Sequence, residues 1–266
     1  MDHARREAGA KAARAARESY GRLLAILASR TRDIVAAEDA LADAFAAAMA
    51  QWPQGGLPSN PVGWLLTMAR RSAGHAAARR HTADRGAVKV QMLEDERQDR
   101  ASDDFGDERM KLMFACTHPA IAADAQAPLM LQTVLGLNAA RIAASFSVAP
   151  ASMGQRPVRA KRRIRDAGIA FAIPETQDVP ERLSVVLSAI YAAYGTAWDD
   201  VAGADPRLAG LADEAIWLAR LTVQLAPDQP AALGLLAMML RCEARRAARR
   251  ASDGAFIALR DQNVAL

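Results

Sequence analysis

Thirty residues, from Gly136 to Arg165 (GLNAARIAASFSVAPASMGQRPVRAKRRIR), constrain this chain more than any other stretch. They read as a short helix, a tight turn and a second helix. Gly136 can take the left-handed conformation that ends the preceding helix. Asn138 stands where its side chain can accept from the free amides of the next one. Leu137, Ile142 and Phe146 are spaced to face a core. Ser147 and Val148 make the turn, with Val148 as a buried anchor. Pro150 suits the first turn of the second helix, where its missing amide costs little. The last ten residues hold six basic side chains (Arg156, Arg159, Lys161, Arg162, Arg163 and Arg165) and no acid. This is the arrangement of a helix-turn-helix whose second helix lies in a DNA major groove. On that reading Ser152, Met153, Gln155 and Arg156 come early in the helix and reach base edges. Arg159, Lys161, Arg162 and Arg163 come later and meet phosphates, giving an affinity that falls with salt. The plain alternative is a solvated basic helix. Pro157 sits about two turns into this helix, where proline costs about 3 kcal/mol. Either the helix kinks there, or the recognition surface is short, or DNA affinity is impaired.

The rest of the composition is helical in character. Alanine dominates, aromatic residues are only 5% of the 266, and helix formers outnumber β-branched residues. An all-α protein is expected. The net charge of +4 is unevenly spread, with basic clusters at 70–85, 156–165 and 241–250 and an acidic one at 94–108. Such asymmetry points to nucleic acid on some faces. Cys116 and Cys242 are far apart, as in a reduced cytoplasmic protein. Cys116 and His118 form a CxH pair, but no second pair completes a zinc site. No run of eighteen apolar residues is present, so no membrane span is expected. The N-terminus is charged and alanine-rich and lacks the apolar core of a signal peptide.

Along the chain, Tyr20, Leu23, Leu24 and Leu27 recur at helical spacing, as do Ile34, Leu41, Phe45, Met49 and Trp52. Glu38, Asp39 and Asp43 lie off that stripe and form an acidic outer face. Pro53 to Pro61 is a loop, and Asn60-Pro61 starts a helix with Trp64, Leu65 and Met68 on one side. That helix ends in Arg70, Arg71, Arg79 and Arg80. From Glu94 to Glu108 there are eight acids and two arginines, which argues for extended or disordered chain. Helices follow through Arg109–Cys116 and, longer, through Ala125–Leu135. Further helical patterns cover Leu183–Tyr194, Ala209–Leu225 and Pro230–Arg246, loosely like tetratricopeptide hairpins.

In this order the segments resemble a bacterial RNA polymerase sigma factor of the extracytoplasmic-function group. AEDALADAF (Ala37–Phe45) resembles the polymerase-binding helix of the second sigma region, and NPVGWLLTMARR (Asn60–Arg71) its promoter-melting helix. The helix-turn-helix resembles the fourth sigma region. RMKLMFACTHPAI, LMLQTVLGL and AIYAAYG resemble the subgroup with a helical C-terminal extension. The resemblance implies a sigma-2-like domain at 1–85, an acidic linker at 86–106, a sigma-4-like domain at 107–170 and a TPR-like extension at 171–266. It further implies that Glu38, Asp39 and Asp43 bind the clamp helices of the largest polymerase subunit, an acidic face against a basic coiled coil. The loop at 53–61 would hold a base flipped from promoter DNA, at a cost of a few kcal/mol. Trp64 would be a stacking partner or a core residue, and Arg70, Arg71, Arg79 and Arg80 would hold phosphates. The linker would thread the polymerase channel or serve as a plain tether.

Three departures from the family bear on this. Ala42 stands where a Gln-like residue is usual, and Gly74 and His75 replace an aliphatic residue and an Asp. Extensions of this subgroup normally run past the point of Leu266, which suggests a truncated chain or a decaying gene. No catalytic grammar is present, so no enzyme activity, cofactor or metal is expected. The expected partners are core RNA polymerase, promoter DNA and a small DGPF-motif protein, with no membrane. The alternatives are a free-standing helix-turn-helix regulator and a helical-repeat scaffold.

Overall fold

The structure, a computed structural model, describes residues 19–80, 105–199, 208, 210–249, 251, 255 and 257–263. Every regular element among them is helical. Helix α1 covers 19–31, α2 Ile34–Gly55, α3 Pro61–Arg80, α4 Phe105–Cys116, α5 Ala123–Thr133, α6 Ala139–Ser145 and α7 Pro150–Asp166. They are followed by α8 Val179–Asp199, α9 Leu211–Leu225 and α10 Pro230–Glu243. No helix among the described residues is long and apolar enough to cross a membrane. Most of the expected linker at 86–106 lies outside the described residues, as does the N-terminal leader.

The described chain forms two compact units. One runs through Ile173 apart from Ser145–Ser147, and the other comprises those three residues and the chain from Pro174 onward. The first unit holds the described residues of 19–80 and of 107–170, apart from Ser145–Ser147.

Local signals explain the helix boundaries of the first unit. Asp33 caps α2: its Oδ1 accepts from the Val35 and Ala36 amides at 3.0 and 3.2 Å. Asn60 caps α3 in the same way, accepting from the Gly63 amide at 2.9 Å. Helix α2 carries Pro53 in its last turn and ends at Gly55, so the loop is shorter than Pro53–Pro61. Gly136 has φ +65, and the Leu137 amide reaches back to the Leu131 carbonyl at 3.0 Å. That six-residue return is a Schellman ending, which wants glycine at the left-handed position. Asn138 then caps α6 through the Arg141 amide at 3.0 Å. Helix α5 is no longer than α4, because this turn ends it at Thr133.

Burial differs from the large-residue pattern. On α2 the buried stripe is Ile34, Ala37, Ala40, Leu41, Ala44, Ala48 and Trp52. Phe45 is half-buried and Met49 is 69% exposed. Alanine occupies the inner positions because α2 and α3 pack along their length, and small side chains permit close approach. Helix α5 is the core element of the unit, buried at Ala125–Met130, Leu131 and Thr133, with α7 laid against it.

The second unit packs α8, α9 and α10 mutually. Tyr194 of α8 is buried, and its hydroxyl lies 2.8 Å from Glu243 Oε1 on α10. Arg246 donates to both oxygens of that carboxylate at 2.7 Å. Trp198 stacks on Tyr194 at 5.7 Å, and the Arg249 guanidinium sits 4.0 Å above its ring. The basic cluster at 241–250 is thus partly internal, since Arg245 also bonds Gln262.

Candidate nucleic-acid interface

The helix-turn-helix is formed by α6 and α7, joined by a turn in which Ser147 has φ +53. Ile142 is buried at the centre of α6 and Leu137 beneath it. Phe146, expected to face the core, is 37% exposed, and Val148, expected as a buried anchor, is half-buried. Helix α7 is continuous from Pro150, at its first position, to Asp166. Pro157 does not interrupt it. Its ring lies on the buried face with Met153, Ala160, Lys161 and Ile164.

That face fixes the other one. At 100° per residue the buried positions fill roughly one quarter to one third of the helix wheel. Ser152, Gln155, Arg159 and Arg162 fall on the opposite side and are all exposed. They recur at i, i+3, i+7 and i+10, a stripe about 15 Å long at 1.5 Å per residue. Val158 flanks it and is 58% exposed. Charge-run reading overlooked Val158. Its signal was its place one turn beyond Gln155.

Two expected contacts must be corrected. Met153 is 0% exposed and lies on the buried face of α7, so it is a core residue and not a base reader. Lys161 is 6% exposed and bonded to Glu38, so it is not a phosphate contact in this conformation.

The remaining cations divide by partner. Pro128 in α5 has no amide to give the Asp124 carbonyl four residues back. The Arg156 guanidinium fills that vacancy, donating to the Asp124 carbonyl at 3.2 Å and lying 3.4 Å from its carboxylate. Arg163 reaches the Ala120 carbonyl at 3.4 Å. Arg162 and Arg165 approach Asp166 at 3.4 and 3.1 Å, in exposed pairs worth little. Asp124 and Ala120 were missed as partners, since nothing local in the sequence pairs them with α7, whereas Asp166 lies at the end of α7 itself, four residues after Arg162.

The second candidate region is a cleft of about 800 Å³ between α2 and α3. Met68, Arg71, Ser72, His75 and Arg79 line it from α3, and Asp43 and Ala44 from α2. Ser72 donates a short hydrogen bond to Asp43. Asp43 of the acidic face and Arg71 and Arg79 of the basic helix therefore share one groove. Asp39 is exposed, and Glu38 is turned inward to Lys161. Trp64 packs edge-on against buried Trp52, with centroids 5.5 Å apart. Arg70 is half-buried, and the Arg80 side chain lies outside the described residues.

The CxH pair separates. Cys116 is fully buried with its thiol 4.0 Å from Thr133 Oγ1, and burial pushes it up to about 12. His118 Nδ1 accepts from the Ala120 amide at 3.1 Å. Among the described residues no three His, Cys, Asp or Glu side chains gather as a metal cage.

Comparison with known proteins adds little chemistry. The model of a family described as a family of unknown function (DUF6596) matches residues 182–266, within the second unit. An uncharacterized protein of Rhizobium meliloti (strain 1021) is 35% identical over 239 residues, 87% of this chain and 56% of that protein. The chain thus spans about half the length of this curated relative. No solved structure matches.

Proposed function

We propose that the chain is an RNA polymerase sigma factor of the extracytoplasmic-function group, acting in the cytoplasm without chemistry or cofactor of its own. The observation that carries this is the outward stripe Ser152, Gln155, Arg159 and Arg162 on the second helix of a helix-turn-helix. In the same compact unit, α2 and α3 offer an acidic edge and a cationic groove.

In this reading Ser152 and Gln155 meet base edges, Val158 meets a thymine methyl, and Arg159 and Arg162 hold phosphates. Arg71 and Arg79, about 12 Å apart along α3, track the backbone of opened DNA. Asp39 presents the exposed carboxylate to a basic polymerase surface. Trp64 serves as the wall of the α2–α3 pair, its ring held by Trp52. The second unit is a TPR-like helical extension that regulates initiation and docks a partner such as a small DGPF-motif protein.

The test is co-purification of the full chain with bacterial core RNA polymerase, comparing wild type with Asp39→Arg. Binding that is lost in the variant supports the reading. No binding by wild type, with salt-dependent binding to duplex DNA, would favour the free-standing regulator instead. The exposure of the α7 stripe is the observation on that side.

A further inference from the structure

Glu38 and Lys161 are 123 residues apart, yet Lys161 Nζ donates to both carboxylate oxygens of Glu38, at 2.6 and 2.8 Å. The lysine side chain is 7% exposed and the glutamate 23%. The pair ties α7, the DNA-facing helix, to α2, the helix with the acidic edge. Tyr20 lies near Glu38, its phenol raised above its ordinary value first by burial and then by that carboxylate. The buried Cys116 thiol is close enough to feel the charge of Lys161.

A pair this deep is a poor fastener but a sensitive one. Desolvating two ions offsets most of their attraction, so the net gain over apolar side chains is small or negative. Removing one partner strands the other charge, which is strongly unfavourable. A contact of that kind sits near balance and yields when Glu38 meets another cation. A basic partner surface supplies such cations.

We propose that the Glu38–Lys161 pair is a latch that closes α7 onto α2 and withholds Glu38 from polymerase until the enzyme's basic surface displaces Lys161. This rests on the polymerase-binding reading above. Of the three acidic residues of α2, Glu38 is held by Lys161 and Asp43 by Ser72, while Asp39 is exposed. The DNA stripe of α7 faces away from the pair, so the latch gates polymerase and leaves duplex binding open.

The test uses the full chain. Lys161→Glu sets a second carboxylate against Glu38, and Lys161→Met, the milder change, strands Glu38 without adding charge. Both should speed amide exchange in α2 and α7 while circular dichroism shows unchanged helix content. Glu38→Leu/Lys161→Met replaces the pair with apolar side chains and should exchange like wild type. On core polymerase, the two single variants should bind about fivefold or more tightly than wild type. Wild-type exchange in both single variants would overturn the latch. Faster exchange without a gain in polymerase affinity would overturn its gating role. If no chain binds polymerase, wild type included, the sigma reading fails and the gating role fails with it. The exchange data then show separately whether the contact opens.

Discussion

Arg159→Ala tests the facing of α7 most directly. Of the six cations between 156 and 165, Lys161 is buried against Glu38, and Arg156 and Arg163 fold back on α5 and the loop before it. Arg159 and Arg162 stand on the outward stripe. One phosphate contact contributes roughly 0.9 to the slope of log affinity against log salt. Between about 50 and 200 mM, a fourfold change, that contact accounts for about a 3.5-fold loss of affinity. Arg159→Ala should therefore flatten the slope by roughly 0.9 and leave stability within about 0.5 kcal/mol of wild type. Anisotropy with a labelled duplex of arbitrary sequence suffices, because phosphate contacts carry no sequence information. Met153→Ala is the counterpart. At 0% exposed it should cost about 2–5 kcal/mol of stability and leave the slope of the folded protein unchanged. An unchanged slope in Arg159→Ala, or an unchanged melting temperature in Met153→Ala, would show that the two faces of α7 have been assigned the wrong way round.

Gly21→Ala should destabilise the first unit by about 2 kcal/mol or more, against the roughly 1 kcal/mol that alanine gains in a helix. A Cβ there would lie 1.7 Å from the Val134 carbonyl oxygen, and a raised melting temperature would rule out that packing of α1. Asp33→Ala should cost about 1 kcal/mol in denaturant unfolding by uncapping α2, with no change in slope against denaturant. Stability should also fall at alkaline pH. The Cys116 thiol is raised by burial from its ordinary 9.0 to about 12, so the folded state keeps a proton that the unfolded chain releases. That contribution is complete below about pH 9 and is lost between about 9 and 12, with Tyr20 and Tyr194 acting in the same direction. A melting temperature flat from pH 8 to about 11 would contradict the upward shift of all three.

Helix ends were legible in the sequence because they depend on one side chain and one amide. Asn60 and Asn138 each cap the helix that follows, and Gly136 ends the helix before Asn138, while the Asp33 cap of α2 went unread. Helix faces were less legible. On α2, large side chains suggest a stripe through Phe45 and Met49, yet the core runs through Ala37, Ala40, Ala44 and Ala48. In a chain so rich in alanine, that residue falls on every side of a helix, so its buried copies give no periodic signal. Which alanines face inward depends on the neighbouring helix, and only folding supplies it.

The site shows the same limit in its charges. A run of six cations announces a basic helix, but not which of them are available. The partners that decide this lie 32 residues away for Arg156 and 123 for Lys161. Helical period alone could have gone further. Met153, Pro157, Ala160 and Ile164 recur every three or four residues and mark the inner face, which places Met153 in the core. Lys161 sits at the edge of that face, so a buried lysine there requires an acid from elsewhere in the fold. The sequence therefore contains the demand for an acid and not its identity. That the acid is Glu38, on the very edge expected to meet polymerase, is what links the two candidate surfaces and makes each a condition on the other.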